Sequence, residues 1–195
     1  MLPMASLSDI RVVDDTGKTI VLEETAKRII SLAPHVTELL FAAGAGEQVI
    51  AVSAYSNYPQ QAQDLPVISA GTGLDIERII ALQPDLVIAW KSGNPATQVT
   101  QLEQLGLQVF YSEPREVDAI AVTLQRFGLL SGHVNQANVA ASEFREQVAA
   151  LRSDFKNKKP VSVFYQVWQK PLMTINGQHM ISHWLTLCSG VNIFT

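Results

Sequence analysis

The unbroken apolar run Leu86-Val87-Ile88-Ala89 constrains this chain more than any other segment, because four consecutive apolar residues leave no strand face for water. Such a strand is covered on both faces, as in a mostly parallel sheet. The residues ahead of it read as a short helix: Asp75 suits an N-cap, and Ile76, Ile79, Ile80 and Leu82 are spaced to line one buried face. Pro84 stops that helix. Trp90 then closes the strand at the edge where open α/β sheets place their ligands.

The same alternation extends in both directions. Val12 to Leu22 reads as a peripheral hairpin turning at Thr16 and Gly17. A strand is expected at Ile29 to Leu32, a helix from Pro34 to Ala43 with proline at its first position, and a strand at Val49 to Ser53. Beyond Trp90 come a polar loop at Lys91 to Asn94, a helix from about Pro95 to Gln104, and a strand at Leu107 to Tyr111. Short connections of this kind predict an α/β unit over residues 9–130. Val117 to Leu130 and Asn135 to Phe155 carry helical spacing, the second with Val139, Phe144, Val148, Leu151 and Phe155 along one flank. A helix over 134–157 is long enough to bridge two lobes, ends in the basic cluster Lys156 to Lys159, and is stopped by Pro160. A strand at Val161 to Tyr165 and a helix at about His179 to Leu187 read as the start of a second α/β unit over 160–195, too short to fold alone.

Composition narrows the function. With 47% hydrophobic residues in 195, the chain buries a sizeable core as one domain or two small ones. A net charge of -4 gives no electrostatic footprint for nucleic acid, and no basic run suits an anionic membrane. No stretch reaches the roughly 18 apolar residues of a transmembrane helix, so the folded chain is expected to be soluble. Met1 to Ser6 is too short for a signal peptide, but Leu2 to Ser6 resembles the small-residue end of a trimmed one. The nucleophile elbow, the phosphate-binding P-loop and the dinucleotide fingerprint are all missing from the sequence, so an enzyme reading has little support. Cys188, the single cysteine, reads as a buried small apolar residue.

The stretch GLDIERIIALQPDLVIAW at Gly73 to Trp90 resembles the signature of the cobalamin and ferric-siderophore substrate-binding proteins of bacterial ABC importers. The resemblance continues through IISLAPHVTELLFAAGAGEQVIAVSAYSNYPQQA at Ile29 to Ala62 and reaches CSGVNIF at Cys188 to Phe194, with the cobalamin-binding members most similar. It implies a fold of periplasmic-binding-protein type: two α/β lobes facing each other across a cleft, joined by one long helix, with the second lobe incomplete here. It also implies a periplasmic location, a permease dimer as partner, membrane contact only through that permease, and a bound metal chelate as cargo rather than cofactor. A disulfide partner for Cys188 would then lie past residue 195, and little closure is expected because a continuous helix resists bending.

Tyr55 directly follows a buried strand, where a flat apolar ring with a polar tip would either contact a large amphipathic ring system or cap the core. Trp90 has the same two readings. Tyr58, just before Pro59, reads as structural. Aligned to the family, Trp168 and Met173 fall near the opposite cleft wall, and Gly71 departs from the aromatic that cobalamin binders carry at about this point. Glu77 matches the family position that presents a carboxylate to an arginine of the transporter, against the alternative of a solvated acid near a helix start. His35, at a helix start, is a candidate contact for ligand or a chelated metal. His179 and His183 are spaced to share a helix face, but no third ligand is visible, which favours surface histidines over a metal site. The resulting expectation is a non-enzymatic binding protein for cobalamin. Haem or a ferric siderophore is the rival cargo, an α/β enzyme with its site at the strand carboxyl edge the rival class, and a chain that binds nothing, dimerising through its exposed second-lobe fragment, a third reading.

Overall fold

Proline at position 34 shows how locally the first half is specified: it opens a helix directly after a three-residue buried strand, as its fixed φ and missing N–H favour. The computed structural model describes residues 9–70 and 73–194. Gly71 and the segment Met1 to Ser6 lie outside them. In chain order the elements are β1 (Ile10–Val13), β2 (Thr19–Leu22), β3 (Ile29–Ser31), α1 (Pro34–Ala42), β4 (Val49–Val52), β5 (Ser69–Ala70), β6 (Gly73–Leu74), α2 (Ile76–Ala81), β7 (Leu86–Trp90), α3 (Ala96–Gln104), β8 (Val109–Ser112), α4 (Val117–Ser131), α5 (Val134–Phe155), β9 (Val161–Val163), α6 (Met180–Leu187) and β10 (Gly190–Asn192).

Two compact units result, one of residues 1–113 and 123–140, the other of 114–122 and 141–195. The division falls in the loop before α4 and within α4 and α5.

In the first unit four parallel strands form a sheet in the order β4-β3-β7-β8. The chain lays β3 and β4 in one direction, then returns past β3 to lay β7 and β8 in the other, so the strand order reverses between β3 and β7. Leu86 to Ala89 are fully buried, as an apolar run covered on both faces requires. On one face Ile30, Val87, Ala89 and Val109 pack with Ile79 of α2 and Val99 and Leu102 of α3. On the other, Phe110 meets Phe127 of α4 edge to face, centroids 5.7 Å apart. Asp75 caps α2 by accepting the Arg78 N–H at 3.0 Å.

Two local expectations change in the first unit. The β1–β2 hairpin is not peripheral: Val12, Ile20 and Leu22 are buried, the Asp15 N–H donates to the Tyr111 carbonyl, and the Asp15 carboxylate pairs with Arg126 at 2.5 Å. Val139 is exposed, because the inner stripe of α5 runs through buried Ala137, Ala141 and Val148 and half-buried Phe144, Leu151 and Phe155, and residue 139 falls on the outer side of that spacing. Two alanines on the stripe allow close approach: a Cβ on Gly128 of α4 would overlap the Ala137 methyl.

The second unit holds β9 and β10 as a parallel pair connected through α6, with Trp184 of α6 edge to face on Phe144 at 6.2 Å. The strand at Val161 is shorter than predicted and stops at Val163. Cys188 is exposed rather than buried; it is the C-cap of α6, and its N–H bonds back to Trp184 and Leu185 as the helix ends at the surface.

Candidate functional site

The sheet order sets the site. Ligands of open α/β sheets bind at the strand carboxyl ends where strand order reverses. Here that point lies between β3, which leads into His35, and β7, which ends on Trp90. The His35 and Trp90 rings meet edge to face at this point, centroids 5.3 Å apart and planes at 84°. Trp90 keeps 38% of its surface exposed. The His35 Nε2 is buried with no hydrogen-bond partner among the described residues. Burial pushes the imidazole pKa below its usual 6.5, against an opposing pull from Glu113, which favours the neutral ring and leaves its Nε2 enclosed without a partner.

Tyr55 follows β4, the neighbour of β3 on the other side. It is 85% exposed and sits at φ 67°, a left-handed conformation unusual for an aromatic residue. The loop around it is anchored from below by a cluster of buried hydroxyls. Thr37 Oγ1 lies 2.8 Å from Ser31 Oγ and 3.0 Å from Ser56 Oγ, and Ser56 Oγ lies 3.2 Å from Ser53 Oγ. The strand ends of β3 and β4, the first turns of α1 and the Tyr55 loop thus share one polar core.

The loop after β7 is fixed by side chains whose roles the sequence reading missed. Asn94 Oδ1 accepts the Trp90 backbone N–H at 2.7 Å, while Asn94 Nδ2 donates to the Leu32 carbonyl at 2.9 Å. A Cβ on Gly93 would fall inside the Trp90 indole, so the ring rests on bare backbone. Glu113, after β8, accepts from the Ser92 N–H at 2.8 Å and from Ser92 Oγ at 3.0 Å. Lys91 places its ammonium 4.7 Å from the Tyr111 ring centre; burial and the hydrogen bond to Glu103 push the Tyr111 hydroxyl up to about 12. The Ser-Gly-Asn sequence marked a turn after Trp90, the one signal that pointed here.

The remaining candidates belong to α2 and to the second unit. Glu77 is exposed in the first turn of α2. Trp168 belongs to the second unit, is 61% exposed, and donates its Nε1–H to the Lys170 carbonyl at 3.1 Å; its backbone pairs with Met173. His179 and His183 do not form a helix-face pair: His179 is the N-cap of α6, its Nδ1 accepting from the Ile181 N–H, because Met180 is the first helical residue. His183 lines a cavity of about 650 Å³ in the second unit together with Asp118 and Arg152, which pair at 3.1 Å. Among the described residues no group of three or more His, Cys, Asp or Glu could hold a metal ion. No helix among them is long and apolar enough to cross a membrane.

Comparison with known proteins agrees with this fold. The periplasmic binding protein family matches residues 29–195. The vitamin B12-binding protein of Vibrio campbellii is 46% identical over 170 residues, covering 87% of this chain and 62% of that protein. The crystal structure of the periplasmic vitamin B12 binding protein BtuF of Vibrio cholerae superposes with a TM-score of 0.82 at 40% identity, over 87% of this chain and 67% of that one. A periplasmic heme binding protein from Pseudomonas aeruginosa shares the fold, with a TM-score of 0.75 at 22% identity, over 87% of this chain and 63% of that one. The chain spans a little over three fifths of the length of the curated relatives it matches. With its parallel α/β sheet and a family match from Ile29 onward, the chain belongs to the periplasmic binding protein family.

Proposed function

We propose that this chain is the ligand-capturing portion of a substrate-binding protein that takes cobalamin in the periplasm and hands it to the permease of an ABC importer. The observation that carries the reading is the identity of 46% to a vitamin B12-binding protein, in a chain whose family match takes in His35, Tyr55 and Trp90. Chemically, the two aromatic rings offer flat apolar surface with polar tips, suited to a corrin with an amide-fringed rim. Trp168 is a further aromatic ligand contact, and Glu77 meets the permease. No bond is made or broken, and the chain is not an enzyme.

Calorimetry against cyanocobalamin and haemin separates the cargo readings. Binding of cyanocobalamin with no heat from haemin is the expected result; the reverse would transfer the assignment to haem. Haem as that second reading is favoured by the exposed Tyr55 phenol, since a phenolate is a competent ferric-iron ligand.

A further inference from the structure

We propose that Asn94 is a positioning residue for Trp90, acting through a carboxamide bridge that spans the strand-order reversal of the sheet. This rests on the reading of Trp90 as a ligand contact.

Asn94 uses both halves of its amide on main chain. Its Oδ1 accepts the N–H of Trp90, the last residue of β7, at 2.7 Å, and its Nδ2 donates to the carbonyl of Leu32, the residue after β3, at 2.9 Å. The Asn94 N–H also donates to the Trp90 carbonyl at 3.0 Å, closing the loop on itself. β3 and β7 are paired only through Ser31↔Ile88, so beyond that register the two strand ends would be free to part. The Leu32 N–H still bonds to the Ile88 carbonyl at 2.9 Å, and Asn94 is the next tie outward. It therefore fixes the spacing between the strand end that carries Trp90 and the segment that leads into His35.

The indole position depends on this tie. Trp90 lies on Gly93, where a Cβ would overlap the ring, and against the His35 edge at 5.3 Å. Gly93 lies inside the turn that the carboxamide closes onto the Trp90 N–H, and His35 follows three residues after Leu32, whose carbonyl the carboxamide holds. Aspartate at 94 keeps an acceptor for the Trp90 N–H but loses the donor to Leu32; alanine loses both.

The test uses the full chain labelled with 5-fluorotryptophan, comparing wild type, Asn94→Ala and Asn94→Asp by fluorine NMR and by calorimetry with cyanocobalamin. Trp90→Phe identifies the resonance, and circular dichroism confirms that each variant is folded. Asn94→Ala is expected to shift or broaden the Trp90 line alone and to weaken cyanocobalamin binding about five- to tenfold, with no recovery in Asn94→Asp, whose second carboxylate oxygen would face the Leu32 carbonyl oxygen. In a Trp90→Ala background the same substitution should have no further effect on affinity. An unchanged Trp90 line in Asn94→Ala, or a full additional affinity loss without Trp90, would overturn the proposal. If wild type fails to bind cyanocobalamin, the cobalamin reading fails, while the fluorine spectra still decide the role of Asn94.

Discussion

His35 and Trp90 meet edge to face at 5.3 Å although one follows the first strand of the sheet and the other ends the third in chain order. The contact exists because β3 and β7 are neighbours, and it puts an unpartnered imidazole nitrogen beside a half-exposed indole at the strand-order reversal. Four predictions follow from the site and the elements that support it.

The buried imidazole makes stability pH-dependent. Its folded pKa lies below 6.5, so above that value both states are neutral and its contribution is complete. As pH falls below 6.5 the unfolded chain takes up the proton first, and stability is lost until the folded pKa is passed. Urea midpoints at about pH 7.5 and about pH 5 should differ in wild type and differ less in His35→Phe. An equal drop in both would remove His35 as the source.

Tyr55 holds a left-handed φ of 67° while exposing 85% of its surface. That conformation costs roughly 1–2 kcal/mol in a residue with a Cβ, and glycine avoids it at an unfolded-state entropy cost of about 0.5–1 kcal/mol. Tyr55→Gly should therefore leave the melting temperature unchanged or slightly raised while weakening cyanocobalamin binding in calorimetry. A clear loss of stability with intact affinity would make Tyr55 a structural residue.

Thr37 is the hub of the buried hydroxyl cluster beneath the Tyr55 loop. Thr37→Val keeps the shape and removes the shared oxygen, leaving Ser31 and Ser56 each short of a partner. We expect a loss of about 1–3 kcal/mol in chemical denaturation. A change below about 0.5 kcal/mol would mean that the remaining hydroxyls reorganise without cost.

Glu77 is exposed in the first turn of α2. Charge reversal, Glu77→Lys, should leave cyanocobalamin affinity intact and reduce stimulation of the permease in reconstituted vesicles. Full stimulation would place docking elsewhere.

Much of the fold was legible because its signals are local. Pro34 opening α1, Asp75 capping α2, Pro84 ending it and the apolar run of β7 each act within a few residues, and the structure has all four. Errors arose where a surface had to be assigned. Val139 has the chemistry of a core residue but the wrong angular position, and Cys188 falls where a helix ends in solvent. The hairpin was read as peripheral for the same reason: what ties it in is the pairing of Asp15 with Arg126, which spans 111 positions.

Strands and helices, and the aromatic and polar residues at their ends, could be read from the residues alone, because periodicity, capping and proline restrict the backbone one turn at a time. That those ends converge is a property of the folded chain. The order β4-β3-β7-β8 follows from how helices cover both faces of the sheet, a sum of contacts between distant segments. That order alone brings Asn94 onto Leu32, 62 positions away, and sets Trp90 against His35.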